Sequence, residues 1–250
     1  MSLALAAAIV FAATSLAALA GVRVGRRLHD GVSDGERAQM YALEASLLGL
    51  LALLLGFSFA MAENRYDARK LLVVEEANAI GTARLRASVI ADPRAVEIGQ
   101  ILERYVAVRL EGYRGRTARL HAALGESEEL QRQAWSRASE LARSDPRSLP
   151  AALLLQSLNE VIDVHGKRLA MGRNHIPTLV LLTLIFVATV TMAWVGACIG
   201  LSARRGGRLA LVLALVISSV VAVIVDLDAP RSGLIRVGQS TLADLQRSFR

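Results

Sequence analysis

The sequence predicts an all-α integral membrane protein: four transmembrane helices in two pairs, with a helical extramembrane domain between the pairs. Three observations carry this expectation. Hydrophobic residues make up 54% of the 250 residues, and the mean hydropathy of +0.42 is high for a chain that folds in water. The apolar residues are gathered into four long runs, and about 20 such residues in helical form cross the roughly 30 Å of a bilayer's hydrocarbon. No run shows the period-two alternation of a membrane barrel, which leaves helices as the structure that satisfies every backbone group in lipid.

The first run, residues 3–22, holds no charge. Ala18-Leu19-Ala20 resembles a signal-peptide cleavage site. No basic residue precedes the run and the run is long, so it is expected to stay as a span. The second run, residues 41–62, begins with a turn that contains Glu44. The third, residues 176–203, is the longest and has room to tilt. The fourth, residues 209–225, is rich in Val, Leu and Ile. Gly196 and Gly200 stand four apart in the third run, a small-xxx-small spacing that suits close helix packing or self-association. These runs divide the chain into a first helix pair (1–62), an extramembrane domain (63–175), a second pair (176–225) and a C-terminal tail (226–250).

Basic residues set the expected orientation. Arg23, Arg26, Arg27 and Arg37 lie between spans one and two, and Arg204, Arg205 and Arg208 between spans three and four. Arg65, Arg69, Lys70, Lys167, Arg168, Arg173, Arg231 and Arg236 lie on the other side. Density in the short loops decides, and places those loops in the cytoplasm and the domain outside. The formal charge of +7 is otherwise a mark of nucleic-acid binders, but basic and aromatic residues are not interleaved here and no such motif is present.

Four helices are expected in the domain. The first continues from span two to about Ile90. Asp92 then caps a second, with Pro93 in its first turn, running to about Leu124 and stopping near Gly125. A third starts at Glu126 or Ser127 and ends before Asp145-Pro146. A fourth begins near Pro150 and presents Leu154, Leu158 and Ile162. Pro177 opens span three.

Chemistry concentrates at three places. Glu75, Asn78, Thr82 and Arg86 fall on one helical stripe just past span two, with Glu76 beside them. This is either an anionic lining for ions or, for Glu76, an interhelical ion pair with Arg69 or Arg84. Asp226 and Asp228 end span four, where the helix dipole opposes carboxylates and a partner such as Arg231 or a cation is needed. His175 stands at the mouth of span three, as a capping residue or a gate. His29, His121 and His165 show no metal-ligand spacing, and the lone Cys198 supports neither a disulfide nor a cysteine metal site. No catalytic motif is present, so no enzyme activity, metal or cofactor is expected.

These residues carry a resemblance. Arg65-Tyr66-Asp67 with Arg69, the stretch Val74 to Ala83, Leu158-Asn159 with Ile162-Asp163, His175-Ile176-Pro177, and Asp226-Leu227-Asp228 with Gly233-Leu234-Ile235 are similar to the signature of the bacterial bestrophin-like domain family of unknown function. The resemblance covers about residues 40–245. It implies two pairs of spans around a helical domain, as in bestrophins, which are oligomeric anion channels whose second spans line a central pore. By that analogy Leu51, Leu55 and Phe59 are expected constriction residues, with Glu75, Asn78 and Thr82 beyond them. Glu76, His175, Asp226, Asp228 and Arg231 are expected ion-binding or gating residues. Glutamates facing a pore would suit cations. The expected setting is a bacterial inner membrane with the domain periplasmic, and the expected partners are lipid, ions and further copies of the chain. The competing expectation is a membrane-anchored sensor or scaffold whose helical domain binds a partner without conduction.

Overall fold

The computed structural model describes residues 3–115, 117–202, 207–229 and 233–249. Among them every regular element is a helix. In chain order these are α1 (Leu3–Leu28), α2 (Asp34–Ser88), α3 (Pro93–Arg114), α4 (Thr117–Ser144), α5 (Leu149–Arg173), α6 (Thr178–Ser202), α7 (Gly207–Asp228) and α8 (Ser240–Ser248). Four of them, α1, α2, α6 and α7, are long and apolar enough to cross a membrane. The chain is a multi-pass helical membrane protein. It forms two compact units, one from Met1–Asp67 with His175–Arg236 and one from Ala68–Asn174 with Val237–Arg250.

The first unit holds the apolar helices. Lipid tails are as apolar as leucine, so packing here depends on close backbone approach. Gly21 and Gly25 of α1 sit against the backbone of Ala193 and Ala197, and Gly196 and Gly200 of α6 against Ala18 and Val22. A Cβ at any of these four glycines would overlap a backbone carbonyl oxygen. Position rises along both helices together, so α1 and α6 run parallel. The glycine spacing of α6 is thus spent inside the protomer, with a matching pair on α1. The α7 helix packs on α1 too, where Thr14 and Ser218 share a hydrogen bond of 3.3 Å. Leu51, Leu184, Met192 and Ile224 fill the core.

The second unit is built from amphipathic helices. Asp92 caps α3: its carboxylate accepts from the backbone N–H of Arg94 at 2.8 Å and pairs with that side chain's guanidinium at 2.7 Å. Those hydrogen bonds hold the carboxyl down at about 2. Ser148 caps α5, accepting from the Ala151 N–H. At the other end of α5 the buried Arg69 donates to the carbonyls of Met171 and Asn174, complementing the helix dipole.

Two elements differ from expectation. The turn between the second and third domain helices lies at Gly115, the C-cap of α3, and α4 runs unbroken through Gly125. An interior glycine costs a helix only about 1 kcal/mol. The tight seam between Gly112 and Ala123, which leaves no room for a Cβ on Gly112, draws α3 and α4 together across the earlier turn. The C-terminal tail also contains a helix, α8, whose Leu242 is fully buried.

Candidate functional site

One face of α2 is buried along its length. In the first unit that face carries Leu51, Ser58 and Ala62; in the second it carries Arg69, Val73, Glu76, Ile80, Ala83 and Ala87. The spacings of seven, four and three residues keep one stripe on a 3.6-residue helix. The opposite stripe is bare. Leu53 is 54% and Phe57 63% exposed, and Ala60, Asn64, Asp67, Leu71, Asn78 and Thr82 follow at the same phase. Only 17% of the apolar stretch of α2 is buried, against 39% in α7.

This separates the residues expected to line a passage. Asn78 and Thr82 lie on the bare stripe and are exposed, and Glu75, at its edge, is half-buried. Leu51 is 2% exposed, inside the core of its own unit, and Leu55 is half-buried against that core. Neither presents a side chain outward. Phe59 is exposed on the flank of the helix. Leu53 and Phe57 hold the outward positions, which sequence alone does not reveal because composition does not say which side of an all-apolar span packs inward.

Glu76 is a buried hub of the second unit. Its carboxylate has no exposed surface. Tyr105 of α3 donates its hydroxyl proton to Oε1 at 2.8 Å, and Arg109 donates Nε–H to the same oxygen at 3.1 Å. Arg168 of α5 pairs with Oε2 and donates to Oε1 of Gln239 at 3.1 Å. His165 places Nδ1 at 2.9 Å from the Tyr105 oxygen and 3.8 Å from Glu76. Gln131 of α4 donates to the same hydroxyl oxygen at 3.2 Å. Burial pushes the Tyr105 phenol up to about 12. Burial, aided by the Arg109 charge, pushes His165 down to about 4. The partners expected for Glu76 do not reach it: Arg84 pairs with Glu103 at 2.7 Å, and Arg69 caps α5. Glu76 is thus the centre of a buried interhelical ion pair, made with Arg109 and Arg168.

At the end of α7 both aspartates are engaged by backbone. Asp226 accepts the N–H groups of Leu234 and Ile235 at 2.9 and 2.8 Å, which folds residues 233–235 back onto the helix end. Gly233 abuts this carboxylate with no space for a Cβ. Asp228 accepts the N–H of Ile176 at 3.1 and 3.0 Å. His175 lies 3.1 Å from the Asp228 carbonyl and 3.4 Å from its carboxylate. These donors offset the dipole of α7 in the way a cation would. Arg231 lies outside the described residues. No group of three or more His, Cys, Asp or Glu that could hold a metal occurs among the described residues.

A family model described as Bestrophin-like domain matches residues 12–242. No curated protein matches the chain. Among solved structures, a variant of a bacterial Bestrophin homolog from Klebsiella pneumoniae superposes with a TM-score of 0.75 at 12% identity, over 99% of this chain and 96% of that one. A second variant gives 0.73 at 13% identity over 96% of both chains. A further structure of that homolog gives 0.67 at 14% identity, over 96% of this chain and 95% of that one. Likeness at such identities is one of fold.

Proposed function

Because this chain belongs to the Bestrophin-like domain family, we propose that it is an ion channel assembled from several copies around an axis lined by α2. The observation that carries this reading is the bare stripe of that helix. A span whose own protomer covers so little of it needs lipid or further copies to cover the rest, and this stripe turns polar at Asn64 and Asp67, where lipid no longer suits it. Leu53 and Phe57 would form the apolar constriction, replacing Leu51 and Leu55 in that role, with Phe59 beside them. Glu75, Asn78 and Thr82 would line the polar continuation, and Glu75 would favour cations.

We place the helix ends that carry Arg23, Arg26 and Arg27 of α1, Arg37 of α2 and Arg208 of α7, with the short connections between them, in the cytoplasm, and the second unit on the periplasmic side of a bacterial inner membrane. Arg204 and Arg205, between α6 and α7 in the sequence, lie outside the described residues. His175, Asp226 and Asp228 would act as a backbone clasp at the end of α7 instead of holding an ion.

Purified protein in planar bilayers tests the reading. Single-channel currents are expected, and Glu75→Gln should lower cation preference while leaving the fold intact. Absence of current under every ion and pH gradient would contradict it.

A second reading has its own support. On the second unit, α4 and α5 bound an open groove lined by Trp135, Arg132, Arg143 and Asn159. A partner or ligand seated there would make the chain a membrane-anchored sensor or scaffold. A protein that stays monomeric in detergent and conducts nothing would favour this reading over the channel.

A further inference from the structure

The hydrogen bonds around Tyr105 assign a tautomer. A phenol has one proton, and Tyr105 gives it to Glu76, an ionised carboxylate that only accepts. Toward Tyr105, His165 must therefore donate Nδ1–H, and its Nε2 carries a lone pair. That nitrogen is buried and meets no donor among the described residues, in a side chain with 4% of its surface exposed. A buried acceptor without a partner is uncommon and calls for an explanation.

The surroundings give one. Facing His165 are Glu76 from α2, Tyr105 and Arg109 from α3, Gln131 from α4, with Glu128 of that helix close enough to act on its charge, and Arg168 one turn along α5 itself. Two guanidinium groups already share the one buried carboxylate. A proton on Nε2 would add a third cation, and its new N–H would meet no acceptor among the described residues. The imidazolium would then compete with Arg109 for Oε1 of Glu76, which is 3.8 Å from Nδ1, and would repel both guanidinium groups. Of the two arginines, Arg168 shares a helix with His165 and also reaches Gln239, just before α8. The rest of this C-terminal segment is held by Leu242, by Leu245 against Gly81, and by Phe249 under the Arg84 guanidinium at 4.5 Å.

We propose that Nε2 of His165 is a proton-binding site, and that its occupation weakens the hold of Arg109 and Arg168 on Glu76 and, through the bond from Arg168 to Gln239, loosens the C-terminal segment from the second unit. The device is an acid-operated latch. It lies wholly within one unit and does not depend on conduction. Burial and the Arg109 charge set its threshold well below neutrality, so the latch is closed at neutral pH.

The test uses the full chain in lipid nanodiscs. Amide hydrogen exchange of residues 240–248, corrected for the intrinsic pH dependence, is followed between about pH 7 and about pH 3 beside the imidazole nitrogen signals of histidine-labelled protein. The wild type is expected to lose about tenfold or more of its protection, with a midpoint that matches the titration of His165. His165→Asn keeps an N–H for Tyr105 but cannot take up the proton, and should stay protected throughout. Protection that persists at low pH in the wild type, or falls equally in His165→Asn, overturns the proposal. Should that variant not fold, the wild type decides alone: coincident midpoints support the latch, and separated midpoints overturn it.

Discussion

The Tyr105 hydroxyl meets Oε1 of Glu76 at 2.8 Å in a pocket that leaves the carboxylate no contact with solvent. This bond joins α2 to α3 at the centre of the second unit, and Arg168 brings α5 to the other carboxylate oxygen. Removing one member of a buried ion pair leaves an uncompensated charge and typically costs about 3–5 kcal/mol. Glu76→Gln strands two guanidinium groups and is expected to fall in that range. Tyr105→Phe removes one hydrogen bond to a charge and should cost about 1.5–3 kcal/mol. Denaturant unfolding of the two single variants and the double variant checks both, and the double should fall short of the sum because the residues touch.

His165 makes stability depend on pH with a fixed sign. Its folded value is held down at about 4, whereas in the unfolded chain it returns to about 6.5. Between these values the unfolded chain binds a proton that the folded chain refuses. Its contribution is therefore complete above about pH 6.5 and is lost as pH falls towards about 4, at up to about 1.4 kcal/mol per pH unit. Unfolding curves at stepped pH should show a steeper decline for the wild type than for His165→Asn. Equal slopes would mean that His165 titrates normally.

The glycines of the first unit fall into two classes. Gly21 and Gly196 each face a backbone oxygen, whereas a Cβ added at Gly49 or Gly56 would meet nothing within 4 Å. Gly21→Ala and Gly196→Ala should each destabilise by about 1–3 kcal/mol or more through overpacking. Gly49→Ala and Gly56→Ala should be neutral or mildly stabilising in the protomer. Melting temperatures in detergent compare the four.

Asp226 and Asp228 are expected to be structural. Asp226→Asn keeps the side-chain shape but replaces an acceptor of two backbone N–H groups by one oxygen and an amide that cannot accept. A loss of about 1.5–3 kcal/mol should follow. Added calcium should not change the melting temperature of the wild type. A calcium-dependent rise that Asp226→Asn abolishes would instead mark a cation site.

Much of this fold was legible because the physical signals are local. Asp92-Pro93 announces the start of α3, and four apolar runs announce four spans, since lipid imposes length and composition on each. The turn at Gly115 was not legible: Gly115 and Gly125 look alike in sequence, and the seam between Gly112 and Ala123 that favours the earlier turn is a tertiary contact. The hub at Glu76 was half legible. Two glutamates after an apolar run mark an unusual site, but Arg109 and Arg168 lie 33 and 92 residues away in the chain. Tyr105 with Arg109, four apart on α3, and His165 with Arg168, three apart on α5, were the available signals: polar pairs set among core positions such as Val106 and Val164. Which side of α2 faces inward was hidden for a simpler reason, since Leu51 and Leu53 are the same residue type.

Thiol modification during single-channel recording tests the role of the bare α2 face most directly. In a Cys198→Ala background, Leu53→Cys, Phe57→Cys and Leu51→Cys are each exposed to a small charged thiol reagent. Block of current at positions 53 and 57, with none at the buried position 51, is the result predicted by a pore on the bare stripe. Block at 51 without block at 53 or 57, or currents indifferent to the reagent at all three, would contradict it.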